Sequence, residues 1–539
     1  MSVQIETGPS TSERGTIFRF FRRLCSAQGM WRVLIVLAWT VTIIGLWYGE
    51  ENWRGRRAWN QYREATEARG ESLDFATYVP KPVPDDENFA ATSLLKSFIL
   101  QRNVNIVSND LYLRAGDHVT ENTLKDRGRR HYLDLVAWQM AGAALQNGEL
   151  KPEQKFETDQ TDLAARAAAA PAVLEGMKTD QAEFAEALAA STRKFSRYPL
   201  NYDVENPWGI LLPHLFRIKY ACQRLSLEAC AELAADQTGP ALADEKLMLA
   251  LADSIKSEPF IISLLVRAAC VEIGVQPVWE GLAEHRWTEA QLQELQARFL
   301  AYDFLADLQV PLKAERAMGV QIVDLLNSKR SPIKPSPFVN SQDQMLFEQA
   351  ALDVLGNVMP SGWFYQEKLN YCALFDAQCK GAMDVGAKTI SPSKVAAKIN
   401  ELTRQIYGGP SVSPLKAFLR HRIIAAMVLL QGYNNIPNIP AKIAMAQTAT
   451  DQAALACALE RYRLAHGQFP DQLEALTPQY MPRQPNDVIT GQPYKYRRTE
   501  DGQFILYSVG WNEKDDGGAA GKTLFDQTQG DWVWSYPSK

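Results

Sequence analysis

The chain has 539 residues, a formal net charge of −5, 46% hydrophobic and 22% charged residues, and seven cysteines. A length equal to several units of roughly 150 residues calls for more than one core, and the balanced composition excludes a disordered or polytopic chain. Near-neutral charge without a basic stripe excludes the electrostatic surface that nucleic acid requires.

The chain opens on a basic tail, residues 1–30, with Arg14, Arg19, Arg22 and Arg23. From Trp31 to Gly49, nineteen residues carry one charge, Arg32, at their edge. A helix rising about 1.5 Å per residue would cover most of a hydrocarbon core about 30 Å thick. Trp31 at one end and Trp47 with Tyr48 at the other suit the interfacial layers, where an amphipathic ring is half solvated. The long stretch before this segment and the lack of a small-x-small site after Leu46 argue against a cleaved signal peptide. The expectation is one transmembrane helix, residues 31–49, with the lipid bilayer as a partner. The basic excess before the helix, Arg32 included, over Arg54, Arg56 and Arg57 after it, favours a cytoplasmic N-terminus. The bulk of the chain would then lie outside the inner membrane.

Residues 50–87 read as a juxtamembrane helix and linker. Arg, Glu, Ala and aromatic residues continue a helix to about residue 70, and Pro80, Pro82 and Pro84 with Asp85 and Asp86 then form an extended connector. Residues 88–327 read as a helical domain. Within Asn103 to Asp117, Val104, Ile106, Leu111 and Leu113 suggest a short hairpin. Leu211, Leu215, Ile218, Cys222 and Leu225 recur at spacings of four and three, one apolar helical stripe. Leu247, Leu251 and Ile255 mark a second helix, and Ile261, Leu264, Ala268 and Val275 a third. A fourth opens with Thr288 and Gln291 in capping-box spacing and carries Leu292, Leu295, Phe299 and Tyr302. Pro311 sits in the first turn of a fifth. Such a series fits either stacked hairpins, resembling tetratricopeptide-like solenoids in outline, or an irregular helical domain, because the repeat signature is absent. Cys222 and Cys230, about 12 Å apart along one helix, are beyond disulfide reach and are expected as buried thiols.

Residues 328–440 read as a linker, with Pro332, Pro335 and Pro337, followed by further helices. The apolar run Ile423 to Leu430 is the only rival membrane span recognised, and its eight residues are too few. Residues 441–539 read as an α+β module. Leu455, Leu459, Tyr462 and His466 line a helix that Gly467 can end in a left-handed conformation. Asp471 and Glu474 start a short helix with Leu473 and Leu476, and Tyr494 to Arg498 pairs with Phe504 to Val509 across Glu500 to Gln503. The expected fold class is therefore mainly α: an N-terminal transmembrane helix, a helical middle and a small α+β C-terminal module with a β-hairpin.

The stretches ALERYRLAHGQFPDQLEAL (458–476), GQPYKYRR (491–498), FILYSVGWNEKDDGG (504–518) and GDWVW (530–534) resemble the soluble C-terminal half of type II secretion major pseudopilins. The whole chain also resembles a group of bacterial single-pass envelope proteins with a helical middle and the same ending, a resemblance that brings no known activity with it. Pseudopilins open their membrane helix with Phe-Thr-Leu-x-Glu, whereas here WRVLIVLAW carries no glutamate and nearly 400 residues separate helix and module. The resemblance thus implies the module's fold and a calcium loop, without polymerisation.

Calcium takes six to eight hard oxygens from a flexible loop. Asp515, Asp516 and Asp531 supply carboxylates, and Gly510, Gly517 and Gly518 supply turning freedom, so these three aspartates form the candidate calcium site; a solvated acidic loop is the alternative. Asp516 to Thr523 misses a phosphate-binding loop at its first position, where Asp replaces Gly, and nucleotide is not expected. Ser-x-x-Lys occurs at Ser93/Lys96, Ser331/Lys334, Ser391/Lys394 and Ser413/Lys416 without supporting motifs. His118, His131, His214, His285, His421 and His466 show no paired metal spacing. No catalytic residue is assigned. The expected function is a membrane-anchored, non-enzymatic envelope protein presenting a helical domain to a protein partner. An accessory component of a secretion or pilus-like machine with a calcium-binding module, and an unrecognised envelope hydrolase, are the alternatives.

Overall fold

The computed structural model describes residues 27–100, 111–119, 128–179, 181–203, 207–328, 357–379, 381–407, 418, 420–422 and 439–537. The expectations for the arginine tail, Val104, Ile106, the Pro332 to Pro337 linker and Ile423 to Leu430 lie outside these residues. The principal helices are α1 (Ala27–Glu67), α2 (Ser93–Leu100), α3 (Leu135–Gln146), α4 (Leu163–Glu175), α5 (Gln181–Ala190), α6 (Pro213–Ala234) and α7 (Thr238–Asp253). They continue with α8 (Ile261–Ala283), α9 (Glu289–Leu300), α10 (Gln309–Asn327), α11 (Ser361–Cys379), α12 (Pro392–Tyr407) and α13 (Ile439–His466). Among the described residues the protein is mainly helical, with an apolar N-terminal helix and two small antiparallel sheets.

α1 runs unbroken through 41 residues, about 60 Å, because good helix formers follow the apolar stretch and no proline intervenes. Its first half is long and apolar enough to cross a membrane, and none of it is buried within the protein. Its second half buries Glu51, Gly55 and Trp59, spaced by four and so on one face, together with Thr66. That face packs on α11. The helix Ile261–Ala283 also has the length and apolarity of a span, but 67% of its apolar window is buried. It corrects the sequence-based view that Ile423 to Leu430 was the only rival: a helix enclosed by others is apolar on every side.

α6, α7 and α8 pack on one another, and α13 packs against both α8 and α9. α13 is buried at nearly every position from Ile439 to Glu460. Its alanines permit close helix approach, and its polar groups bond outward to neighbours. Gln447 Oε1 accepts from the Phe304 amide at 3.0 Å, and Gln452 Nε2 donates to the Trp532 carbonyl at 2.8 Å. Strands β1 (Met383–Asp384) and β2 (Thr389–Ile390) form one ribbon. β3 (Lys495–Arg498), β4 (Phe504–Ser508) and β5 (Trp532–Trp534) form the other sheet in that order, with Arg498 opposite Phe504. Trp279 of α8 donates to the Ser535 carbonyl at 3.1 Å, so one hydrophobic core runs from Trp59 through the central helices to Trp534.

The expected hairpin, the Thr288–Gln291 capping box and the left-handed Gly467, at φ +78°, are all present. Cys222, Cys230, Cys270, Cys372 and Cys457 are buried free thiols. Leu211 departs from its stripe: it is 75% exposed and precedes α6, which begins at Pro213, a residue preset for the first helical turn. Leu111 and Leu113 belong to a helical turn, Leu111–Ala115, instead of a hairpin, and Leu111 is buried beneath Gly142 and Gly176. No expected strand pairing survives at these two leucines.

Candidate functional site

The sequence-assigned loop joins β4 to β5. Gly510, Gly517 and Gly518 have φ of +72°, +69° and +83°, the left-handed turns that glycine adopts without strain. Asp531 stands at the centre of the loop: its Oδ1 accepts from the Asp516 amide at 3.2 Å and its Oδ2 from the Gly518 amide at 2.6 Å. Asp515 Oδ1 accepts from the Tyr507 hydroxyl and the Gly517 amide, both at 3.0 Å. Asp516 Oδ2 accepts from Asn512 Nδ2 at 3.0 Å. Burial and the charges of Asp516 and Asp515 push the Asp531 carboxyl above its usual range, while the Gly517 amide holds Asp515 below it. The loop therefore holds its three aspartates without bringing a carboxylate oxygen of each within 4.8 Å of the others, and much of their accepting capacity is met by its own donors. In the P-loop-like segment the Lys522 amide likewise donates to Asp526 Oδ2 at 3.0 Å, so amides that would cradle phosphate already serve carboxylates.

The histidines sit in separate places. His214 Nε2 lies 2.6 Å from Glu258 Oε1, His285 Nδ1 lies 2.9 Å from Glu460 Oε1, His421 Nε2 lies 2.7 Å from Glu51 Oε1, and His466 stacks on Tyr462. Of the Ser-x-x-Lys pairs, Lys96 is committed to Asp85 at 3.0 Å.

A third arrangement was not anticipated. Glu228 and Glu232 lie one turn apart on α6, and Asp244 faces them from α7 across the tight turn made by Asp236 at φ +62°. One carboxylate oxygen from each of the three lies within 4.8 Å of the others, the one such group of metal-ligating side chains among the described residues. Glu228 accepts from Arg224 Nη1 at 2.9 Å and from Gln181 Nε2 at 2.6 Å. Glu232 Oε2 and Asp244 Oδ2 are buried with no hydrogen-bond partner. Burial and the Glu228 charge push the Glu232 carboxyl up to about 8, and burial with both glutamates pushes Asp244 up as well. The sequence signal was a same-sign pair four residues apart within the apolar run Leu227 to Leu233, a costly placement on a helix. Its third member became visible only in the fold.

Compared with models of protein families, with curated proteins and with solved structures, the chain finds no match.

Proposed function

We propose that this chain is a single-pass protein of the bacterial inner membrane that acts without catalysis and presents its helical domain to another protein in the periplasm. The observation that carries the reading is the two-part character of α1: an apolar half with no protein cover and a second half whose Glu51, Gly55 and Trp59 are buried against α11. A helix used this way holds the domain at a fixed distance and orientation from the bilayer. Residues 1–30 would lie in the cytoplasm. The end of the domain formed by α6 and α8 supports a partner surface. There His214 meets Glu258, and Leu211, Phe216 and Ile262 are exposed, with Phe216 76% accessible. Large apolar side chains left exposed at one end of a domain suit an association site.

Protease accessibility tests the sidedness: protection of the domain in intact cells and its digestion after outer-membrane permeabilisation are expected, and digestion only after the inner membrane is opened contradicts it. A photo-crosslinking residue at position 216 should yield one dominant protein adduct, lost in Leu211→Asp; no adduct in cells opposes the partner reading.

A second reading rests on the presence of Asp515, Asp516 and Asp531 in one loop that follows a helix and hairpin. It makes the C-terminal residues a pseudopilin-like, calcium-dependent docking unit of a secretion or pilus-like machine. Calcium calorimetry with the full chain and with Asp531→Asn tests it, and identical heats from the two oppose it.

A further inference from the structure

We propose that Glu228, Glu232 and Asp244 bind a hard divalent cation, of the calcium or manganese type, that ties α6 to α7. Three carboxylates and the Arg224 guanidinium bonded to one of them leave a net charge of −2 when all are ionised, and one divalent ion cancels it. Without such a cation the site must bury like charges, or take up protons, at a cost that burial magnifies. Oxygens bound to one calcium at 2.3–2.6 Å are at most about 5 Å apart, so three oxygens mutually within 4.8 Å can share an ion. The donor set is oxygen only, which suits calcium or manganese and disfavours soft metals.

The independent sign of a ligand is Glu232. It is 9% exposed, its Oε2 is buried without a hydrogen-bond partner, and its carboxylate faces those of Glu228 and Asp244. Buried carboxylate oxygens are mostly hydrogen-bonded; Glu245 of α7 also buries both oxygens without a partner, but it belongs to no such three-ligand group among the described residues. Arg224 cannot fill this role: its Nη1 is held by Glu228, its Nη2 donates to the Met177 and Thr179 carbonyls, and its guanidinium lies 4.5 Å from the Phe184 ring centroid. Asp244 is only partly buried, so the ion has an entry from solvent and room for water ligands. The displaced positive charge on the carboxyls would be protons, since burial raises their affinity for them.

Full-length protein in detergent, stripped with chelator, is titrated with Ca²⁺ and Mn²⁺ while thermal unfolding is followed, with Zn²⁺ as the soft comparison. Asp531→Asn serves as the background, which separates this site from the C-terminal loop. The expected result is a saturable rise in Tm of a few degrees and one tightly held Mn²⁺ per chain by electron paramagnetic resonance. Glu232→Gln and Asp244→Asn should each raise the Tm of the stripped protein by removing repulsion, and abolish the metal-dependent rise. Either variant alone suffices for the comparison. Absence of a metal-dependent rise in the Asp531→Asn background, or a rise that persists in both variants, overturns the site.

Discussion

Gly55 of α1 and Gly362 of α11 meet backbone to backbone: a Cβ on Gly55 would lie 2.2 Å from the Gly362 carbonyl oxygen, and one on Gly362 would lie 2.0 Å from the Glu51 carbonyl oxygen. The Gly362 amide donates to Asn52 Oδ1 at 2.7 Å, so the contact also fixes register. Neither glycine has a positive φ. They are required by proximity, the same reason small residues line close helix crossings. Gly362→Ala should therefore force α1 and α11 apart and cost about 3 kcal/mol or more, above the usual range for overpacking because the obstacle is backbone. Limited proteolysis between the apolar segment and the domain measures it: faster cleavage near Glu64 to Gly70 is expected, and wild-type rates would show that the helices tolerate separation.

Arg166 and Glu280 form an ion pair of 2.6 Å with both side chains essentially inaccessible. Glu280 Oε1 also accepts from the Leu133 amide at 2.7 Å and Gln276 Nε2 at 3.0 Å, so one carboxylate joins α4, α8 and the segment before α3. Glu280→Ala leaves a buried guanidinium unpaired and should destabilise by about 3–5 kcal/mol. Replacing both partners, Arg166→Met with Glu280→Leu, should recover most of that loss. Denaturant unfolding of the three proteins decides it, and equal losses in the single and double variants would mean that the pair's wider hydrogen bonds dominate.

Asp451 gives the stability a pH dependence. Burial pushes its carboxyl up to about 7, against the lowering effect of hydrogen bonds from Gln447 and the Tyr494 hydroxyl. A folded pKa above the unfolded value near 3.9 means the folded chain binds the extra proton between about pH 4 and pH 7. This group's stabilising contribution is complete below pH 4, declines as pH rises through 7 and is gone above it. Asp451→Asn should remove that decline and raise Tm at pH 8 relative to wild type. Thermal melts from pH 4 to 8 that keep the same slope in the variant would assign the dependence elsewhere.

How far these features were legible depended on the range of the interactions behind them. The stripe Leu215, Ile218, Cys222 and Leu225, the Thr288 capping box and the turn between β3 and β4 are local, and each is readable from spacing and turn chemistry. α8 and α13 were harder, because helices surrounded by protein lose the polar face that signals periodicity. The composition shift at Ala441 sets residues 441–539 apart as a unit, whereas α13 packs against both α8 and α9 and shares their core. Gly55 with Gly362, and Glu232 with Asp244, are pairs created by tertiary approach. Nothing in either partner's neighbours names the other.

In the proposed arrangement the exposed half of α1 lies in lipid in the mature protein while its other half stays fixed to α11. Alkaline carbonate extraction of membranes, with N-terminal sequencing of the recovered chain, tests it most directly. Full-length protein in the membrane pellet with Val33 to Tyr48 retained is expected. Full-length protein in the wash, or a mature chain beginning after Gly49, would contradict it.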